Sequence, residues 1–166
     1  MVMNPHYKYP DSKAFEFVNQ EFQRKQITPH AIAEVIYGLQ HRFLPDVTVA
    51  QFEAEVINVM HKREFLNNAM VGLALDKLAE QNQVPETLNE IIRNDVGVFG
   101  VDETISLGIA QLSGSIGITN YGYLDRTKPG IIGRLDNSDE HVDTFIDDLV
   151  GALASAVAGK MAHKYA

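Results

Sequence analysis

The sequence predicts an all-α fold: one domain over residues 1–166 in which an apolar helix is surrounded by the others. Three observations predict it. Apolar residues recur three and four positions apart through most of the chain, the spacing of a one-sided helix. Thr28-Pro29 and Thr48 are helix starts. No run alternates apolar and polar residues as a half-buried strand does.

The elements follow in order. Asp11 and Ser12 cap a first helix over about 12–26, with Phe15, Val18 and Phe22 on one face. Thr28 caps a second helix and Pro29 is its first residue, the position where a missing N–H costs nothing. That helix runs to about residue 43, with Ile32, Val35, Ile36 and Leu39 inward, until Leu44-Pro45-Asp46 breaks it. Thr48 caps a third over about 49–61 with Phe52, Val56, Val59 and Met60 as its stripe. A fourth spans about 62–81, from Phe65 and Leu66 to Leu75 and Leu78, and a short fifth spans about 86–93 after Pro85. Residues 94–100 form a turn with two glycines.

The run 104–122 is almost uncharged, with Ile105, Leu107, Ile109, Leu112, Ile116 and Ile118 interleaved with Gly, Ala and Ser. A helix apolar on all sides is a buried helix, so this run is expected at the centre, ended by Tyr121-Gly122-Tyr123. Asp102 and Glu103 stand at its N-terminal mouth, where the helix dipole favours negative charge. Residues 125–130 make a polar turn, and 131–137 is left unassigned. Ser138, Asp139 and Glu140 cap a last helix over about 139–163, whose middle, from Gly151 to Gly159, is again small and apolar. Two such helices are expected in close contact.

Composition narrows the function classes. The chain has no cysteine, so thiolate chemistry and sulfur-ligated zinc are out, in keeping with a reducing cytoplasm. A formal charge of −8 argues against a nucleic-acid surface and against electrostatic docking on anionic lipid. Residues 1–10 lack the apolar centre of a signal peptide, and no run is long enough for a membrane helix. The six histidines are scattered without metal-site spacing; His30, His41 and His61 read as helix-surface residues. Neither a GxSxG nucleophile motif nor a phosphate-cradling glycine loop is present. Phe15, Phe17 and Phe22 cover two faces of the first helix and suggest a partner surface, with a homo-oligomer as the default.

The acids gather in three places: Asp102 with Glu103; Asp125 beside Arg126 and Lys128; and Asp143, Asp147 and Asp148 on the last helix. Asp143 and Asp147, four apart, share a helix face. Ionised carboxylates at the rim of a buried surface are costly unless paired or on a metal. Oxygen ligands drawn from several helices suit Mg²⁺ or Mn²⁺. The same residues also fit plain first-turn caps, or ion pairs of Asp147 and Asp148 with Arg126, Lys128 or Arg134.

Val101-Asp102-Glu103, then Asp125-Arg126-Thr127-Lys128-Pro129, then Ile146-Asp147-Asp148-Leu149-Val150-Gly151-Ala152 resemble, in order, the motifs of the phosphatidylglycerophosphatase A family. The match lies in residues 94–166; the first ninety residues resemble its all-helical branch without membrane spans. The resemblance implies Mg²⁺-dependent dephosphorylation of phosphatidylglycerophosphate or a related phosphate ester. It implies metal ligation by Asp102, Glu103 and Asp147, with Asp143 or Asp148, and phosphate binding by Lys128 and Arg126. Asp125 would orient Lys128 or add a ligand. Two alternatives stand beside it. One is a non-catalytic regulatory or assembly module of the same descent. The other, ranked last, is a helical nucleotide pyrophosphohydrolase, whose paired ExxE and ExxD motifs are missing here.

Overall fold

The computed structural model describes residues 6–165. The reading of residues 1–10 as lacking a leader's apolar centre therefore falls, for 1–5, outside the described residues.

Nine α-helices follow one another among the described residues, without strands: α1 (Asp11–Arg24), α2 (Pro29–Gln40), α3 (Val49–Met60), α4 (Arg63–Glu80), α5 (Glu86–Arg93), α6 (Val101–Ala110), α7 (Gly114–Thr127), α8 (Ile131–Asp136) and α9 (Ile146–Tyr165). The threonine signals act as read. Thr28 accepts from Ala31 N, and Thr48 forms a reciprocal capping box with Gln51. Asp11 does not cap α1; its carboxylate takes a two-pronged hydrogen bond from Arg63 at 2.7 and 2.8 Å. Phe22 is buried, and Phe15 and Phe17 are half-buried against the core.

The central helix is α9, not the run 104–122. Fifteen of its twenty residues are buried, and it packs on α2, α3, α4, α6, α7 and α8. Leu149, Val150, Leu153 and Val157 are fully enclosed; each contributes about 1.5–3 kcal/mol by leaving water. The run 104–122 is broken instead. α6 passes into a 3₁₀ turn at Gln111–Ser113, and Gly114, at φ +69°, starts α7 in a new direction. A side chain at that φ is strained, which is why glycine stands there. Leu107, Leu112 and Ile118 are left partly exposed. The last helix also starts later than expected. Residues 137–145 form a connecting strap, so Asp143 lies before α9 rather than on it.

The expected close contact between small-residue segments is present. Ser113 Oγ donates to Ala156 O at 2.5 Å. A Cβ on Gly159 would come within 2.8 Å of Ser113 Cβ and 3.0 Å of the Gly117 amide nitrogen. Gly159→Ala is therefore expected to cost about 1–3 kcal/mol through overpacking. Gly122, within α7, faces open space, and Gly122→Ala should be neutral or stabilising by up to about 1 kcal/mol. Urea unfolding of the two variants checks this; equal stabilities would contradict the packing.

Candidate metal centre

The three acidic motifs converge at one end of α9. Gly100, in the left-handed region at φ +63°, starts α6 so that Asp102 and Glu103 fall in its first turn. Asp102 Oδ1 accepts from the Glu103 amide at 3.0 Å. α7 ends at Thr127, and Lys128 turns the chain with φ +42° and ψ 54° before Pro129. Left-handed geometry costs a lysine roughly 1–2 kcal/mol. Here it lets Lys128 Nζ reach Asp147 at 2.7 Å, Asp125 at 3.1 Å, Asp148 at 3.4 Å and Asp136 at 3.5 Å. Gly133 presses on this turn, since a Cβ there would sit 2.3 Å from Lys128 O. Asp147 and Asp148 occupy the first turn of α9, and both are buried.

All of these acids and the lysine except Asp136 line a recess of about 100 Å³ together with Asp95 and Thr144. Six carboxylates and one ammonium face it: Asp95, Asp102, Glu103, Asp125, Asp147 and Asp148 against Lys128. One oxygen from each of Asp102, Glu103 and Asp148 lies within 4.8 Å of the others, near enough to share one ion. The donor set is all oxygen, the choice of hard cations such as Mg²⁺ and Mn²⁺. A divalent cation fits these residues, because burial and mutual repulsion leave the acids short of positive charge. A larger groove, about 980 Å³, lies between α2 and α7. Its one acid is Glu34, so the cation chemistry belongs to the smaller recess.

The candidate residues are not all brought together. Asp102, Glu103, Asp125, Lys128, Asp147 and Asp148 are. Asp143 is placed elsewhere: it pairs with Lys25 beneath the strap and lines a different cavity. The expected i, i+4 pairing with Asp147 fails because no helix joins the two side chains. Arg126 is exposed and does not line the recess. Arg134 is used elsewhere, on the carbonyls of Lys25 and Gln26. Asp95 and Asp136 were missed. Asp95 stands in a turn at φ +44°, a conformation that Asp and Asn adopt more readily than most residues.

Burial pushes the Asp102 carboxyl up to about 6, helped by the hydrogen bond and charge of Glu103. Burial raises Asp147 to about 7 against the pull of Lys128. Burial and the charge of Asp147 raise Asp148 to about 8. Asp95 is raised by burial and by Asp102. Burial works to lower Lys128, but the charge and hydrogen bond of Asp147 outweigh it and hold the ammonium protonated. Unfolded aspartates release their protons near pH 4. Between there and about pH 8 the folded state holds more protons than the unfolded one. Stability of the cation-free protein therefore falls as pH rises through this window. Glu21 and Glu80 have the opposite sign. Burial opposes them, but Lys77 and Arg24 hold Glu21 below its ordinary value, and Arg24 and Lys25 hold Glu80 below its own. Their contribution is lost only in stronger acid. Thermal unfolding in EDTA is expected to give a Tm higher at about pH 5 than at about pH 8. A Tm that rises steadily to pH 8 without added metal would contradict the raised carboxyls.

Fold and site together define an all-helical protein with a buried acidic centre, built from three separated motifs at the start of its central helix. The chain belongs to the phosphatidylglycerophosphatase A family, whose model matches residues 26–163. It is 38% identical to protein YpjQ of Bacillus subtilis over 158 residues, 95% of this chain and 89% of that protein. It is 42% identical to YutG of the same organism over 134 residues, 80% and 81% of the two chains. The crystal structure of YpjQ superposes with a TM-score of 0.89 over 95% of this chain and 98% of that one. The low temperature requirement C protein of Listeria monocytogenes, 39% identical, superposes at 0.86 over 93% and 96%. YpjQ and YutG are themselves uncharacterized. No helix among the described residues is long and apolar enough to cross a membrane.

Proposed function

We propose that the protein is a Mg²⁺- or Mn²⁺-dependent phosphomonoesterase acting on phosphatidylglycerophosphate or a related phosphate ester. One observation carries the reading. Carboxylate oxygens of Asp102, Glu103 and Asp148, from two helices, lie within 4.8 Å of one another beside a single lysine. These three hold the cation, with Asp147 alongside. When bound, the cation polarises a phosphoryl oxygen and lowers the pKa of an attacking water. Lys128 is the donor to the phosphate oxygens, a charge-assisted hydrogen bond. Asp125, 3.1 Å from Lys128 Nζ, orients it. Arg126, exposed one residue after Asp125, adds a second positive charge outside the recess.

Phosphate release from phosphatidylglycerophosphate vesicles and from soluble monoesters, with Mg²⁺ or EDTA, tests this. Release that requires the metal is expected, and the substrate that turns over separates a lipid from a soluble ester. No release from any of them would end the phosphatase reading. A second reading has one observation in its favour: Lys128 already contacts four carboxylates. A non-catalytic module would keep those contacts permanently, and Mn²⁺ would then leave its Tm unchanged. A real site raises stability by about 2.7 kcal/mol at a hundredfold excess of cation over its Kd.

A further inference from the structure

Asp76, on α4, is completely buried and takes no part in the acidic recess. Its carboxylate faces the start of α9. Phe145 N donates to Oδ1 at 3.1 Å and to Oδ2 at 3.2 Å, and Ile146 N donates to Oδ2 at 3.1 Å. The next two residues are Asp147 and Asp148. Helix N-termini carry unsatisfied amides that a local Ser, Thr or Asp ordinarily caps. Thr144, the nearest local hydroxyl, donates to Ile92 O at 2.6 Å, while the amides of Phe145 and Ile146 both go to Asp76. The cap of α9 thus comes from another helix, in the form of a buried carboxylate, a group costly to enclose.

The whole strap before α9 is fastened in the same way. Val142 N donates to Glu80 at 3.1 Å, Val142 O accepts from Lys25 at 2.9 Å, and Lys25 also holds Asp143. One turn before Asp76 on α4 stands Gly72. A Cβ there would lie 2.9 Å from Leu149 Cδ1 and 3.0 Å from Phe145 Cβ. α4 therefore seats Phe145 in a space kept open by Gly72 and holds its amide with Asp76.

We propose that Asp76 is a positioning residue: it fixes the first turn of α9 against α4, so that Asp147 and Asp148 meet Lys128, Asp102 and Glu103. This rests on the cation-site reading above. A residue that only stabilised the fold would lower Tm without changing how the acids meet. Catalytic and metal sites depend on such outer positioning, and its loss typically weakens metal binding by about 10–100-fold.

The test is a Mn²⁺ titration followed by Tm, on the wild-type protein, Asp76→Asn and Gly72→Ala, with Val18→Ala, a fully buried apolar side chain of α1, as a core control. Asp76→Asn keeps one acceptor oxygen for the amides. Gly72→Ala pushes on Phe145 and Leu149 without altering a carboxylate. Both are expected to raise the Mn²⁺ midpoint about tenfold or more, while Val18→Ala lowers Tm and leaves the midpoint alone. Midpoints equal to wild type in both variants would overturn the proposal. Should the wild-type protein bind no Mn²⁺, the phosphatase reading fails, and Asp76 is judged by the crystal structure of Asp76→Asn. Loss of the Lys128–Asp147 contact would uphold its role, and an unchanged contact would refute it.

Discussion

Asp148→Asn is expected to abolish detectable cation binding and to lower phosphate release by about 10²–10³-fold, the size of loss seen when one preorganised transition-state-stabilising group is removed. The same change should make the cation-free protein more stable at about pH 8. Asp148 is buried, carries a carboxyl raised by burial and by Asp147, and is one of six acids balanced by a single lysine. Asparagine keeps the shape and removes the charge. Activity and stability then move in opposite directions, the mark of a site whose strain serves function. A structural ion pair behaves differently: breaking it lowers stability and leaves no activity to lose. Thermal unfolding in EDTA and a phosphate-release assay on one preparation read both effects. A less stable variant with unaltered turnover would count against the account.

Lys128→Met should have the larger effect on folding. The lysine is the recess's internal counter-ion, within 3.5 Å of four carboxylates, two of them buried. Removing one partner of a buried pair leaves an uncompensated charge and costs about 3–5 kcal/mol. That loss is expected in full at about pH 8 in EDTA. It should shrink toward about pH 5, where Asp147 and Asp148, with carboxyls near 7 and 8, are protonated. Saturating Mn²⁺ should also restore part of it, because the cation then supplies the missing positive charge. Phosphate release should stay low even in the restored protein, since the donor to the phosphate oxygens is gone. Urea unfolding at the two pH values, with and without Mn²⁺, measures this. A loss of stability independent of both pH and metal would show that Lys128 acts through packing alone.

Much of this molecule is legible in one dimension because its signals are local. Thr28-Pro29 and Thr48 announce helix starts through hydrogen bonds made within three residues. Asp102 and Glu103 could be placed at a helix start, because the glycine-containing turn 94–100 precedes them. What the sequence hid is non-local. The run 104–122 and the segment 151–159 have the same small, apolar character. Composition alone does not say that Gly114 takes a left-handed turn and splits the first, while the second runs unbroken through the core. Asp143 looked like a partner of Asp147 because four residues separate them. That spacing has meaning only inside a helix, and α9 starts three residues later. Lys25 and Asp76 gave no signal at all. A buried charged residue is recognised by its partners, and theirs lie 117 to 118 and 69 to 70 residues away.

The central claim is that Asp102, Glu103 and Asp148 together hold one divalent cation. Anomalous diffraction from crystals grown with Mn²⁺ tests it most directly. The account predicts one strong peak in the recess at about 2.0–2.3 Å from an oxygen of each of the three carboxylates, absent from crystals of Asp148→Asn. A recess without manganese, with Lys128 still bound to Asp147 at saturating metal, would contradict it.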